Sequence, residues 1–182
     1  MKYYVVKYKG KFGFIKPWTA VRDGETYSQQ FLTPSIIEGM EKKLFPELLS
    51  ETGVKKIIRH KLRYDAMSEQ QEVTQTRGYN KGRRDRAILV RGILLNPILM
   101  LAFGSREDAE RASVQHVCLC RNEDVMLPDE EVFEMEEEDF SALEGFELRF
   151  ADDETSFIVG YNRFDGNKPM YGKLECNGMS VI

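Results

Sequence analysis

Two helical patterns, each enclosed by strand-like segments, constrain the fold of this chain more than any other feature of its sequence. Residues 2–9 alternate apolar and polar side chains as a β-strand does, and Gly10 ends the segment. Thr33 and Pro34 then predict a helix start, because threonine caps helices well and proline suits the first helical position. Gly39 interrupts this helix at a cost of about 1 kcal/mol relative to alanine, which predicts a close neighbour there. The apolar residues have the spacing of one buried helix face: Ile36, Ile37, Met40 and Leu44.

A similar order follows further along the chain. Residues 54–64 predict a second strand with a basic face, and residues 86–103 predict a third. Gly104 and Ser105 precede a short amphipathic helix over 106–115, and residues 116–120 predict a fourth strand. With a polar insertion between its second and third strands, this β–α–β–β–α–β order is that of ferredoxin-like folds, including RNA-recognition domains. We therefore expect an α+β protein with an RRM/ferredoxin-like domain.

The insertion, residues 65–85, is polar and buries little by itself, so it predicts a protruding thumb hairpin or a mobile loop. After residue 124, acidic segments alternate with short strand patterns at 132–135, 146–150, 156–161 and 171–176, which predict hairpins of a second sheet. We expect an RRM-like domain over 1–124, with its thumb at about 65–86. We expect residues 125–182 to form an acidic β-hairpin extension packed on the same core.

Positive and negative charge are concentrated in different halves of the chain. Residues 1–92 contain 19 Lys and Arg against 10 Asp and Glu, and residues 93–182 contain 7 against 20. The positive half peaks at residues 77–86, Arg-Gly-Tyr-Asn-Lys-Gly-Arg-Arg-Asp-Arg, within and just after the insertion. Arginines of this density neutralise phosphates, and an exposed Tyr79 can stack on a base. A solvated surface without a ligand is the alternative.

Composition bounds the compartment. No apolar stretch reaches the roughly 18–20 residues that span a bilayer, and the N-terminal strand does not have the pattern of a signal peptide. The three cysteines lack CxxC spacing, which fits reduced thiols in a cytoplasmic protein. We expect a cytoplasmic protein without membrane contact.

Four stretches, in this order, are similar to one protein family. They are residues 10–17 (Gly-Lys-Phe-Gly-Phe-Ile-Lys-Pro), residues 26–40 (Thr-Tyr-Ser-Gln-Gln-Phe-Leu-Thr-Pro-Ser-Ile-Ile-Glu-Gly-Met), the arginine-rich strand at 84–103, and residues 117–124 (Val-Cys-Leu-Cys-Arg-Asn-Glu-Asp). The chain thereby resembles the fifth CRISPR-associated protein family ("Cas five"). That family belongs to the RAMP superfamily of RRM-like RNA binders, found in Cascade-type effector complexes.

The resemblance implies a subunit of a CRISPR ribonucleoprotein for antiviral defence. Such a subunit binds the 5′ handle of the CRISPR RNA (crRNA) and caps the filament of repeated backbone subunits, with its thumb packed on the neighbouring subunit. A large or nuclease subunit is a further partner. We expect these residues to contact the RNA: Lys16, Arg22, Arg59, His60, Arg63, Arg77, Tyr79, Lys81, Arg83, Arg84, Arg86 and Arg91.

The chain departs from the branch of the resembled family that also cleaves precursor crRNA without metal. Phe45 stands where that branch has a catalytic tyrosine, and the loop after Phe103 lacks its Lys-His pair. RNA cleavage by general acid–base catalysis needs a titratable group beside the 2′-hydroxyl, so we expect no catalytic residue. The alternatives are a metal-independent endoribonuclease that uses His60 or Tyr27, and a phage-encoded mimic or inhibitor of such a subunit.

Other constellations favour structural roles. We expect His60 to contact a phosphate or to be exposed rather than to act as a general base. The thiols of Cys118, Cys120 and Cys176 are expected in a sheet core rather than in a zinc site with His116. The acidic run within 130–139 predicts a solvated loop or a contact with a basic partner protein. Glycine spacing matches no nucleotide-binding fingerprint, so we expect no cofactor and no metal. Four aromatic residues are candidates for either base stacking or packing: Phe12, Phe14, Trp18 and Tyr27.

Overall fold

The fold is seen in a computed structural model that describes residues 1–17, 24–80, 82–162 and 166–178, with backbone alone at 74–80 and 83–86. No helix in those ranges is long and apolar enough to cross a membrane. The helices are α1 (Pro34–Leu44), α2 (Arg106–Ala112) and α3 (Glu137–Ala142), and a 3-10 turn spans Pro46–Leu48. The strands are β1 (Lys2–Lys9), β2 (Phe12–Gly13), β3 (Glu25–Tyr27), β4 (Ile57–Arg63), β5 (Ala66–Asn80), β6 (Arg83–Leu95), β7 (Ile98–Phe103), β8 (Val117–Cys118), β9 (Val125–Glu136), β10 (Gly145–Phe150), β11 (Phe157–Asn162) and β12 (Lys168–Asn177).

The main sheet has eight strands in the order β11-β12-β10-β4-β7-β1-β9-β8. Its middle, β4-β7-β1-β9, is antiparallel, and α1 and α2 occupy the crossover positions of a ferredoxin-like fold. The predicted α+β, RRM-like class is therefore confirmed. The C-terminal strands do not build a second sheet, since Phe146 of β10 pairs with Leu62 of β4 and extends the same sheet.

The fourth strand of the ferredoxin-like order is β9, so the place predicted for residues 116–120 in that order is wrong, although a short strand does form there. Only Val117 and Cys118 there are strand, at the sheet's edge. Residues 132–135 of β9 were predicted as a strand, but the acidic residues around them were expected in a loop. These carboxylates are stable in the strand because lysines of the neighbouring β1 neutralise them: Lys9 lies 2.8 Å from Asp129, and Lys2 pairs with Glu134. The acidic run is thus part of a strand and α3, not a loop.

The first helix forms as predicted. The Thr33 hydroxyl accepts a hydrogen bond from the Ile36 amide at 3.4 Å, and Ile37, Met40 and Leu44 are buried on the sheet. Gly39 is exposed, and among described atoms outside its own helix none lies within 4 Å of where its Cβ would be, so the expected close neighbour is not there. The second helix begins after Ser105 as predicted and ends at Ala112, earlier than expected.

The insertion is a long two-stranded hairpin, β5–β6, which we call the thumb hairpin. The strand predicted over 86–103 is in fact two strands, because Asn96, at φ 47°, and Pro97 turn the chain from β6 into β7 of the main sheet. The base of β6 pairs with β2 in antiparallel and β3 in parallel orientation. From Gln71 and Val90 towards the tip of the hairpin, β5 and β6 pair only with each other among the described residues.

The sheet face opposite α1 and α2 is also covered. Phe140 of α3 is fully buried against Tyr3, Val5 and Ala102, with the two aromatic rings 5.8 Å apart, edge to face. Lys61 fixes the same segment, because its ammonium donates to the carbonyls of Ser141 and Leu143 at 2.6 Å each. The face that an open RRM-like sheet would offer to a ligand is therefore closed over its centre by the acidic α3 segment.

Candidate nucleic-acid interface

The basic run of residues 77–86 lies at the tip of the thumb hairpin. Tyr79 pairs with Arg84, and Asn80 with Arg83, while Gly82 turns the backbone at φ +76°. Residues that pair across antiparallel strands are about 5 Å apart at Cα, so the hairpin brings both arms of the run together. Lys81 lies outside the described residues, as do the side chains of Arg77, Tyr79, Arg83, Arg84 and Arg86.

A second basic group lies at the base of the same hairpin. Arg91 and Arg121 both stack on the buried Phe14 ring, with guanidinium carbons 5.6 and 5.3 Å from its centroid. Glu72 of β5 lies between them, accepting from Arg121 Nη1 at 2.5 Å and lying 3.5 Å from Arg91 Nε. Arg91 is thus a half-buried, partnered residue rather than a free cation.

Lys16 is exposed close to this base, and none of the described carboxylates lies within 4 Å of its ammonium. Arg22 and Trp18 are outside the described residues. Phe12 is half-buried and Phe14 buried, so these two rings pack rather than present a stacking surface. A cleft of about 570 Å³ opens beside them, lined by Phe12, Gln70, Glu72, Val73, Arg121 and Glu123.

Arg59 lies in the interior of the fold, whereas the sequence predicted that it contacts RNA. It is 3% exposed, and Glu147, 1% exposed, accepts from its Nε and Nη2 at 2.6 and 2.7 Å. These hydrogen bonds raise the pKa of Arg59 further above its usual value. The strand pattern misplaced the residue, because a bulge between Ile57 and Arg59 shifts the register and β10 and α3 cover this face.

His60 is equally inaccessible, at 8% exposure. Burial lowers its pKa to about 4, and its Nε2 has no hydrogen-bond partner among the described atoms. The imidazole is therefore neutral at pH 7 and is out of reach of a phosphate or a 2′-hydroxyl. Arg63, at the end of β4, is exposed and pairs with Glu144 at 3.2 Å.

Tyr27 and Phe45, the other positions that bear on the ribonuclease alternative, also make structural contacts. The exposed Tyr27 hydroxyl donates to Glu69 at 2.7 Å, and this hydrogen bond raises the pKa of Tyr27 to about 12. Phe45 is fully buried, edge to face with Phe103, and Arg111 and Lys56 lie over its ring. Phe45 thus carries part of the core and of a cation–π cluster.

The cysteines are not core thiols. Cys118 is half-buried, and Cys120 and Cys176 are exposed, so the predicted burial is wrong. Within the described ranges, no three His, Cys, Asp or Glu side chains converge as a metal site would require.

Arg121 is a basic residue at the base of the hairpin that was not among the predicted site residues. It lies within the motif Cys118-Leu-Cys-Arg-Asn-Glu-Asp124, directly after the strand expected at 116–120. The signal was local: an arginine three residues before an aspartate in a short polar turn. Arg121 donates to Asp124 through Nη2 at 2.8 Å, while Asp124 is fully buried.

Comparison with known proteins gives a likeness of fold. No protein-family model matches the chain, and no curated protein is significantly similar to it. A chain from a structure described as a CRISPR RNA-guided surveillance complex superposes with a TM-score of 0.53 at 12% identity, over 96% of this chain and 90% of that one. A functionally uncharacterized protein from Streptococcus mutans gives a TM-score of 0.43 at 13% identity, over 97% and 87% of the two chains. The first likeness shows that this chain has the same fold as a subunit of such a complex.

Proposed function

We propose that this protein is a non-catalytic subunit of a CRISPR effector ribonucleoprotein that holds the 5′ handle of crRNA with its thumb hairpin. The observation that carries the proposal is the position of the basic run, at the tip of a hairpin inserted between β4 and β7 of an RRM-like sheet. Arginines there contact phosphates, and Tyr79 stacks on a splayed base. The fold shared with a chain of a surveillance complex supports this choice among RNA-binding roles.

The covered sheet face directs the RNA to the hairpin. RRM domains bind RNA on the open face of the sheet, but here α3 occupies the centre of that face and begins with Glu137, Glu138 and Asp139. Carboxylates at this density repel a phosphate backbone. The thumb hairpin, with the exposed Lys16 near its base, is the surface that attracts it.

The thumb hairpin also has a surface suited to a protein neighbour. Val73 and Ile88 face each other across its strands and are 65% and 60% exposed. A cross-strand apolar pair left in solvent is a contact that a partner can bury. We propose that it packs on the adjacent backbone subunit, so that this protein caps the filament while its tip holds the handle.

The test is the salt dependence of binding between the purified protein and crRNA. The triple variant Arg83→Ala, Arg84→Ala and Arg86→Ala should bind crRNA more weakly. The slope of log affinity against log salt should become about 2 shallower, because each lost contact to single-stranded RNA removes roughly 0.7.

The matched control removes three exposed arginines far from the tip: Arg106→Ala, Arg111→Ala and Arg149→Ala. Its net charge is the same as that of the test variant, so it reports non-specific electrostatics, and its slope should stay close to wild type. Equal slopes for the test variant and wild type would refute the assignment. Retention of backbone subunits without any crRNA would favour the mimic hypothesis instead.

A further inference from the structure

Arg121 joins the thumb hairpin to the core through a single guanidinium group. It lies in the turn between β8 and β9, close to the base of the hairpin. One of its nitrogens bonds to Glu72 of β5, and two others bond to Asp124 of its own turn. The residue therefore has one fixed side and one side that holds the hairpin.

The fixed side is anchored in the core. Asp124 is fully buried, and its carboxylate accepts from the Arg121 backbone amide at 3.0 Å. Its backbone carbonyl accepts from the Leu119 amide at 3.1 Å, which closes the turn. The hydrogen bonds to Asp124 raise the pKa of Arg121 above its usual value. The contacts with Asp124 thus fix the position of the Arg121 side chain independently of the hairpin.

The other side reaches both strands of the hairpin. Glu72 of β5 accepts from Arg121 at 2.5 Å and lies 3.5 Å from Arg91 of β6, and both guanidinium groups stack on Phe14. Glu72 lies three residues nearer the tip than Glu69, which bonds to Tyr27 of β3. On the opposite side of the hairpin, Tyr27 packs its ring over Gly92, where an added Cβ would lie 2.1 Å from ring carbon Cδ1.

We infer that Arg121 is a positioning residue that sets the direction of the thumb hairpin, and through it the RNA affinity of the proposed function. From Glu72 to Asn80 the strand extends about 26 Å at 3.3 Å per residue. A rotation of about 10° at the joint therefore moves the tip by roughly 4–5 Å. A hairpin that samples such displacements is aligned with the phosphates for only part of the time, so binding weakens while the contacts in the bound complex stay the same.

The test variant is Glu72→Gln, which removes the charge that holds the hairpin to Arg121 and leaves the Arg121–Asp124 contact in place. Glu110→Gln is its matched control, since it removes the same charge from another arginine partner, Arg106, on the exposed face of α2. Spin labels are attached at Lys43→Cys on α1 and Ile88→Cys on the hairpin, in a background where Cys118, Cys120 and Cys176 are serine. Double electron–electron resonance then measures the width of the distance distribution without RNA.

We expect a broader distribution for Glu72→Gln and an unchanged one for Glu110→Gln. The crRNA affinity of Glu72→Gln should fall about tenfold with an unchanged salt slope, a loss in the range of one charge-assisted hydrogen bond. The sign is decisive, because removing a carboxylate beside RNA would by itself strengthen binding.

Each outcome has one meaning. An unchanged distribution for Glu72→Gln overturns the inference, as does a gain in affinity, which would make Arg121 a direct RNA contact that Glu72 masks. Failure of the wild-type protein to bind crRNA refutes the proposed function instead, while the distance measurement still decides whether the joint holds the hairpin.

Discussion

The Arg59–Glu147 pair gives the sharpest measurement of how the structure reassigns a residue that the sequence placed at the RNA. Its side chains are 3% and 1% exposed, so when one partner is replaced, the charge of the other stays buried away from water. Glu137 and Glu175 lie 3.9 and 3.6 Å from the guanidinium and compensate only partly when Glu147 is lost. Removing one member of a buried ion pair costs about 3–5 kcal/mol, because an uncompensated charge stays behind.

We therefore expect Arg59→Met and Glu147→Leu each to lower the free energy of unfolding by about 3–5 kcal/mol. That is a large part of the roughly 5–15 kcal/mol typical of a domain. The double variant should lie within about 1 kcal/mol of wild type or above it, because an apolar pair of similar volume replaces a buried ion pair at little cost. The coupling energy from the double-mutant cycle is then about 5 kcal/mol or more.

Urea unfolding followed by circular dichroism measures all four proteins. With a slope near 2 kcal/mol per molar, each single variant should shift the midpoint by about 2 M. Arg106→Met is the control, because its ion pair with Glu110 is more than half exposed and should cost less than about 1 kcal/mol. If Arg59→Met costs no more than Arg106→Met, the pair is not buried in solution, and Arg59 returns to the list of RNA contacts.

Two further predictions concern stability. Burial lowers the pKa of His60 to about 4, below the 6.5 of an unfolded histidine, so the unfolded state binds the proton first as pH falls and stability is lost between about pH 6.5 and 4. The loss is about 2 kcal/mol at pH 5, and His60→Gln should remove it from urea titrations at pH 5 and 7.5; identical pH dependence in both proteins would contradict the burial. Gly39→Ala should raise the free energy of unfolding by about 1 kcal/mol, since the site is exposed and no described atom outside the helix obstructs a Cβ, whereas a loss would mean that α1 packs closely there.

Much of the ferredoxin-like order was predictable because its signals are local. Thr33 and Pro34 mark the start of α1, Ser105 marks that of α2, and both caps are formed in the structure. For the fourth strand, residues 132–135 were predicted as a strand, but its full length and its place in the ferredoxin-like order were not. Its carboxylates are stable in a strand because Lys2 and Lys9 lie opposite, more than a hundred residues away in sequence.

In the candidate site, too, the sequence predicts the features that local signals determine and not those that distant strands determine. The hairpin follows from turn glycines and polar composition, which act over a few residues, but the sequence did not predict that the basic run lies at its tip. The β4 cations could not be placed, since a one-residue bulge exchanges the faces of a strand and nothing local shows that β10 will cover it. Alternation predicted basic residues on one face, and the C-terminal strand supplied Glu147 to bury Arg59 there.

The covered sheet changes what the charge segregation of this chain means. If the acidic half were a separate, solvated extension, the basic half would keep its whole surface for RNA. Instead β9, α3 and β10 supply carboxylates to Lys2, Lys9 and Arg59, so these cations of the first half are neutralised within the fold. The net positive charge of the first half therefore overstates what RNA can meet. The thumb hairpin belongs to the sheet of β2, β6 and β3 and not to the one that contains β9 and β10, which is why the proposed function rests on the hairpin and not on the main sheet.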